Sequence, residues 1–196
     1  MKIAVVTPYY RETAEQLTRC HQSIKDQTVK TDHFFVSDGF PNPIVDTWDC
    51  VHIKVPNHAD YGDTPRLIGA ASAASLRYDA ILLLDADNWF EPDHVQTLLD
   101  VQAREQADVV TCSRMLIRSD LTRMGECIES DGKRFNDTNC YLVMKHAFPL
   151  FRAWGFKDPS LGVRSRTPTR LPPGRPTRAW KGHLVRPGCG SGWRRT

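Results

Sequence analysis

The feature that most restricts this chain is the stretch Ala80–Asn88, reading AILLLDADN. Five apolar residues run unbroken into two aspartates spaced one residue apart, Asp85 and Asp87. An apolar run of this length, bounded by polar residues, suits a strand covered on both faces, as in a parallel sheet under helices. Such a strand ends at the carboxyl edge of the sheet, where open α/β folds hold their ligands. Two carboxylates brought together there repel each other, and a cation beside them relieves the cost. Hard oxygen donors of this kind suit Mg²⁺ or Mn²⁺, which share their remaining positions with phosphate oxygens. The sequence therefore points to a metal–diphosphate held by Asp85 and Asp87. The plainer alternative is that the pair only caps the next helix in solvent.

Around this run, strand and helix patterns alternate. Lys2–Val6 reads as a buried strand, closed by Thr7-Pro8-Tyr9-Tyr10. Thr13 with Gln16 makes a capping-box pattern, opening a helix whose Ala14, Leu17, His21 and Ile24 share one face. His33–Ser37 is a second strand ending in Asp38-Gly39, and Val51–Val55 a third. Thr64 reads as an N-cap with Pro65 at the first helical position, and the small Ala70, Ala71, Ala73 and Ala74 let that helix lie close on the sheet. Pro92 opens a third helix carrying Val95, Leu98, Leu99 and Val101, and Asp108–Cys112 is a further strand. A turn is expected at Asp131-Gly132, a short apolar strand at Tyr141–Val143, and helix over Met144–Trp154 apart from Pro149. The alternation predicts an α/β fold with a mostly parallel central sheet and helices on both faces. If the strands are parallel, the clusters after Val6, Ser37 and Leu84 line one edge.

Charge divides the chain in two. Residues 159–196 hold eight Arg, one Lys and no acid, so +9 there against +3 overall leaves −6 for residues 1–158. The expected organisation is one domain over 1–158 and a basic Arg/Pro/Gly-rich irregular tail over 159–196. Three readings of the tail stay open: a disordered segment, an arm for nucleic acid or anionic membrane using Trp180 and Trp193, or out-of-frame translation of a GC-rich gene. The basic pI of 8.6 comes from this tail, so no nucleic-acid partner is expected of the body. The six cysteines lack any C-x-x-C spacing and read as reduced thiols. No apolar run approaches a membrane span, so a cytoplasmic setting is expected, with peripheral membrane contact left open.

Residues 2–154 resemble a family 2 glycosyltransferase of the GT-A fold, the Rossmann-like fold of nucleotide-diphospho-sugar transferases. The matching pieces are Thr7-Pro8-Tyr9-Tyr10, Ser37-Asp38-Gly39, an Arg-bearing helix start at Arg66, and the D-x-D of Asp85 and Asp87, in the family's order. The string DTNCYLVMKHAF at 137–148, followed by Trp154, is similar to an acceptor-side segment of some bacterial members. The resemblance implies inverting transfer of a sugar from a nucleotide-sugar donor, usually a UDP- or dTDP-sugar, to a hydroxyl of a carbohydrate or lipid-linked glycan. It implies that Thr7, Pro8 and Tyr9 pack around the base and that Asp38 accepts its hydrogen bonds. Arg66 would contact the diphosphate, and Mn²⁺ or Mg²⁺ would sit on Asp87, with Asp85 on the ribose or the metal's water shell. Asn88 and Trp89 face either the sugar or the core.

Inverting transfer also needs a carboxylate base to take the acceptor's proton. In the family this acid lies downstream of the D-x-D, in territory that here is the acid-free tail. Among Glu126, Asp131, Asp137 and Asp158, Asp137 is the candidate, with a structural turn as its alternative. Two other readings compete. One is a nucleotide-sugar-binding remnant without turnover. The other is a haloacid-dehalogenase-like phosphatase with Asp85 as nucleophile, from which Asn88-Trp89-Phe90 departs.

Overall fold

The computed structural model describes residues 1–118, 120–130 and 135–155, together with strands at 182–185 and 191–193. In chain order the elements are β1 (Ile3–Tyr9), α1 (Ala14–Lys25), β2 (Asp32–Asp38), β3 (Val51–Val55), α2 (Asp63–Ser75) and β4 (Ala80–Leu83). They continue as β5 (Trp89–Phe90), α3 (His94–Glu105), β6 (Val109–Cys112), β7 (Met115–Ile117), β8 (Arg123–Glu126) and β9 (Tyr141–Met144). A 3-10 stretch, Lys145–Phe151, runs into α4 (Arg152–Gly155), and β10 (Gly182–Val185) and β11 (Ser191–Trp193) follow.

The apolar strands are buried on both sides because successive side chains leave a strand in opposite directions. Ile3 and Val5 of β1, with Ala80 and Leu82 of β4, pack on Cys20 and Ile24 of α1 and on Val95, Leu98 and Val101 of α3. The alternate residues, Ala4, Val6, Ile81 and Leu83, pack with Ala70 and Ala73 of α2 and with Ala147 and Phe151. Helices thus cover both faces. The sheet order is β10–β6–β9–β4–β1–β2–β3. Its strands are parallel except β9, which runs antiparallel between β4 and β6. A smaller sheet has the order β5–β11–β7–β8.

Several boundaries differ from expectation. β1 runs through Pro8 to Tyr9, with Pro8 opposite Val36 and Tyr9 opposite Ser37 of β2. Pro8 is tolerated because β4 pairs only with Ile3–Val6, so beyond that point one side of β1 is an edge. Thr13 and Gln16 do form a capping box. Thr64, in contrast, is not the cap of α2. The helix starts at Asp63 after Gly62, which turns the chain at φ 83°. The backbone N–H and hydroxyl of Thr64 both donate to Asp60 Oδ2, at 2.9 and 2.5 Å, so an upstream carboxylate serves the first turn instead. α3 begins at His94, two residues after Pro92. The turn expected at Asp131-Gly132 and most of the tail lie outside the described residues, as does Cys189. The other five cysteines are free thiols, Cys50 half-buried and the rest buried. No helix among the described residues is long and apolar enough to cross a membrane.

The small residues of α2 set how closely it approaches the sheet. A Cβ placed on Gly69 would lie 2.4 Å from Val6 Cγ1 and 2.9 Å from Val36 Cγ2. Gly69→Val is therefore expected to destabilise the protein by about 2–3 kcal/mol through overpacking, lowering Tm by roughly 4–12 °C. Ser75→Ala, at an exposed position of the same helix, should shift it by less than about 2 °C. Thermal unfolding followed by circular dichroism measures both.

Candidate functional site

Because β1 lies between β2 and β4, the chain leaves its carboxyl end toward β2 and later returns on the other side as β4. A crevice opens where the strand order changes direction in this way. A cavity of about 550 Å³ occupies that place. Pro8 and Tyr9 end β1, Tyr10 and Glu12 follow it, and Asp38 ends β2; Asn57, Ala59, Tyr61 and Gly62 come from the approach to α2, Arg66 from its first turn, and Asp85, Ala86 and Asp87 from beyond β4.

At one end, Asp38 Oδ1 accepts from the backbone N–H of His58 at 2.8 Å and pairs with His58 Nδ1 at 3.1 Å. Gly39 makes this possible. Its φ is 85°, and a Cβ there would lie 2.6 Å from Asn57 Cβ, so only glycine lets the Asn57–His58 segment close over Asp38. Tyr9 is packed rather than presented. Its hydroxyl meets His52 Nε2 at 2.7 Å and accepts from the Asn42 N–H at 2.9 Å, while its ring sits edge-on to Phe35. Burial raises the Tyr9 pKa above the usual phenol value.

At the other end, Asp85 Oδ1 accepts from Arg66 Nη2 at 2.5 Å, and Asp85 Oδ2 accepts from Asn139 Nδ2 at 3.1 Å. Arg66 also donates through Nη1 to the Tyr61 carbonyl at 3.0 Å. Burial pulls the Arg66 pKa down, but the charge and hydrogen bond of Asp85 outweigh it, and the guanidinium stays charged. Asp87 accepts from Asn88 Nδ2 at 2.7 Å, and its backbone carbonyl accepts from Arg19 Nη2 at 3.2 Å. Burial, then repulsion from Asp85 and Glu12, raises the Asp87 carboxyl to about 6.

Six of the residues expected at the site therefore meet on one cavity: Pro8, Tyr9, Asp38, Arg66, Asp85 and Asp87. Thr7 is not among the lining residues. Its fully buried hydroxyl shares a 2.8 Å hydrogen bond with His33 Nε2, on the α1 side. Asp137 is also absent from the lining. It caps the 3-10 turn Thr138–Cys140, forms a buried ion pair with Arg114, and accepts from Asn139 through the backbone N–H at 3.0 Å and Nδ2 at 2.6 Å. Burial and the nearby Asp85 raise its carboxyl to about 6 despite Arg114. Asn88 is fully buried, and the half-buried Trp89 carries the Arg19 guanidinium 4.6 Å above its ring.

The sequence model of glycosyl transferase family 2 matches residues 4–160. The chain belongs to this family. Among solved structures, S. aureus TarS is similar at TM-score 0.59 and 13% identity, covering 78% of this chain and 29% of TarS. TarS residues 1–349 give TM-score 0.57 at 13% identity, covering 78% of this chain and 49% of that one. The same TarS fragment in complex with UDP gives TM-score 0.60 at 12% identity, covering 86% and 52%. No curated protein matches. At such identity the likeness is one of fold, and this chain spans about half or less of the TarS chains it matches. As a family 2 glycosyltransferase domain, the chain has the GT-A arrangement expected for it, a mostly parallel sheet with β9 reversed.

Asp87 places a half-buried carboxylate, a hard oxygen donor of the kind a divalent cation takes, on the cavity, while among the described residues no three His, Cys, Asp or Glu side chains gather as a complete metal site. Sequence reasoning missed Glu12, Asn57, Tyr61 and Asn139. Glu12 and Tyr61 sit in loops with no periodic signal, and Asn139 lies 54 residues from the Asp85 it grips. The raised carboxyl of Asp87 makes a stability prediction. Its folded pKa of about 6 lies above the ordinary 3.8, so its charge destabilises the native state above pH 6, and the effect fades as pH falls below it. Without metal, Asp87→Asn is expected to raise Tm at pH 7.5 by about 2–6 °C and to leave it unchanged near pH 4, as read by thermal unfolding at the two pH values.

Proposed function

We propose that residues 1–158 bind the donor in a metal-assisted, inverting transfer of a sugar from UDP or dTDP to a hydroxyl of a carbohydrate or lipid-linked glycan. The observation that carries this reading is the convergence of Asp38, Arg66, Asp85 and Asp87 on one cavity of about 550 Å³. Asp38 Oδ1 is occupied by His58, which leaves Oδ2 to accept an imide N–H of uracil or thymine. That choice disfavours cytosine and adenine, which present an acceptor at the corresponding edge position. Arg66 brings a planar, permanently charged donor to the diphosphate. Mn²⁺ or Mg²⁺ on Asp87 supplies charge stabilisation for the departing diphosphate. Asp85, held by Asn139, orients the ribose or the water around the ion. A cytoplasmic setting, in peripheral contact with a membrane that carries a lipid-linked acceptor, goes with this reading.

A second reading, donor binding without turnover, is favoured by the surroundings of Asp137. The acid put forward as acceptor base is committed to Arg114 and Asn139 and stands off the cavity lining. The phosphatase reading loses support because the family model that matches residues 4–160 is that of a glycosyl transferase. Calorimetric titration with UDP and Mn²⁺, paired with a donor-hydrolysis assay, separates the first two. Release of UDP from a UDP-sugar supports transfer, and metal-dependent binding without release supports the second reading. Asp87→Ala is expected to weaken Mn²⁺-dependent UDP binding at least about tenfold, a loss of roughly 1.4 kcal/mol, with an unchanged circular dichroism spectrum. Unchanged UDP affinity in that variant contradicts the proposal.

A further inference from the structure

Asp85 and Asp87 share one cavity wall, yet the protein treats them differently. Both oxygens of Asp85 are filled from within the chain, Oδ1 by Arg66 Nη2 and Oδ2 by Asn139 Nδ2. Asn139 is fully buried and held by Asp137. Arg66, also buried, is the charged partner of the two. Its guanidinium bonds Tyr61 O at 3.0 Å and lies 3.5 Å from Asp63 Oδ1, and its buried Nε has no hydrogen-bond partner among the described residues. The Asp87 carboxylate, in contrast, accepts from Asn88 Nδ2, and the positive charge nearest it is that of Arg19, which bonds its backbone carbonyl and not its side chain.

We propose that Arg66 is the resident counter-ion of Asp85 and couples metal to nucleotide: without ligand it keeps a divalent ion off Asp85, and a bound diphosphate draws it away. This rests on the donor-site reading above. One guanidinium here faces two competing anions, a carboxylate and a diphosphate, and its fork of donors suits either. Turning toward a phosphate gives the unpartnered Nε an acceptor and removes the positive charge that repels a metal. The ion, in turn, replaces that charge beside Asp85. Each ligand therefore favours the other, and by linkage the two effects on affinity are equal.

The test is Mn²⁺ binding to the full chain at neutral pH, read by the electron paramagnetic resonance signal of free Mn²⁺, with and without UDP and corrected for the Mn²⁺–UDP complex in solution. Wild type is expected to bind Mn²⁺ about tenfold or more tightly with UDP than without it. Arg66→Met is expected to bind Mn²⁺ alone about tenfold more tightly than wild type, and UDP should then change that affinity by less than about threefold. Mn²⁺ affinity in Arg66→Met that is unchanged or weaker overturns the proposal, as does a wild-type affinity indifferent to bound UDP. Should Arg66→Met not fold, Arg66→Lys keeps the charge without the fork. Its coupling is expected to fall at least about threefold below wild type, and coupling equal to wild type overturns the proposal. If wild type binds no UDP, the donor-site reading fails, while Mn²⁺ alone on Arg66→Met still decides whether Arg66 is the counter-ion.

Discussion

Asp85 stands where the buried run of β4 ends, and two other elements reach it there. Arg66 comes from the first turn of α2, and Asn139 from the 3-10 turn before β9. A carboxylate half-withdrawn from water must be met by charge and hydrogen bonds or its burial destabilises the fold. The two contacts also tie α2 and the β9 approach to the carboxyl edge of the sheet. Arg114, Asp137, Asn139, Asp85 and Arg66 form one continuous polar chain beneath the cavity. In such a network each member depends on the next, so the geometry of the site is inherited from buried contacts remote from any ligand.

The same edge carries the rest of the site because of how the sheet is wound. Parallel strands β1, β2 and β4 end together, and the order β4–β1–β2 opens a crevice between their exits. α2 can bring Arg66 to that crevice only by lying close, and Gly69 against Val6 and Val36 allows it. Close packing and site placement are thus one requirement: a bulkier residue at position 69 would lift the helix and withdraw the guanidinium. On the opposite face, Arg19 of α1 reaches the carbonyl of Asp87, so the D-x-D turn is held from both sides of the sheet.

Much of this was legible in the sequence because burial leaves a periodic trace. The double-faced run Ala80–Leu84, the capping box at Thr13 and the polar ends after β1, β2 and β4 are local patterns, and each corresponds to an observed element. Where the structure places a side chain away from the position its local pattern suggested, the deciding contact was distant or the turn chemistry was ambiguous. Thr64 has the right side chain for an N-cap, but Asp60 four residues earlier supplied the acceptor. Thr7 was expected at the base because of its place in a motif. Its side chain follows the strand alternation to the other face and meets His33. Asp137 sits in a string similar to an acceptor segment, but Arg114, 23 residues away, claims its carboxylate.

The sequence by itself determined the class of fold and the kind of chemistry at the sheet edge. Apolar periodicity, caps and spaced carboxylates are properties of short stretches, and physics acts on them locally. Only the tertiary structure decided which carboxylate is open and which is closed. Asp85 and Asp87 are the same residue type one position apart, and nothing in that dipeptide pattern distinguishes them. The difference comes from Arg66 and Asn139, brought from 19 residues before and 54 residues after Asp85, and only folding brings charges so far apart in the chain into contact.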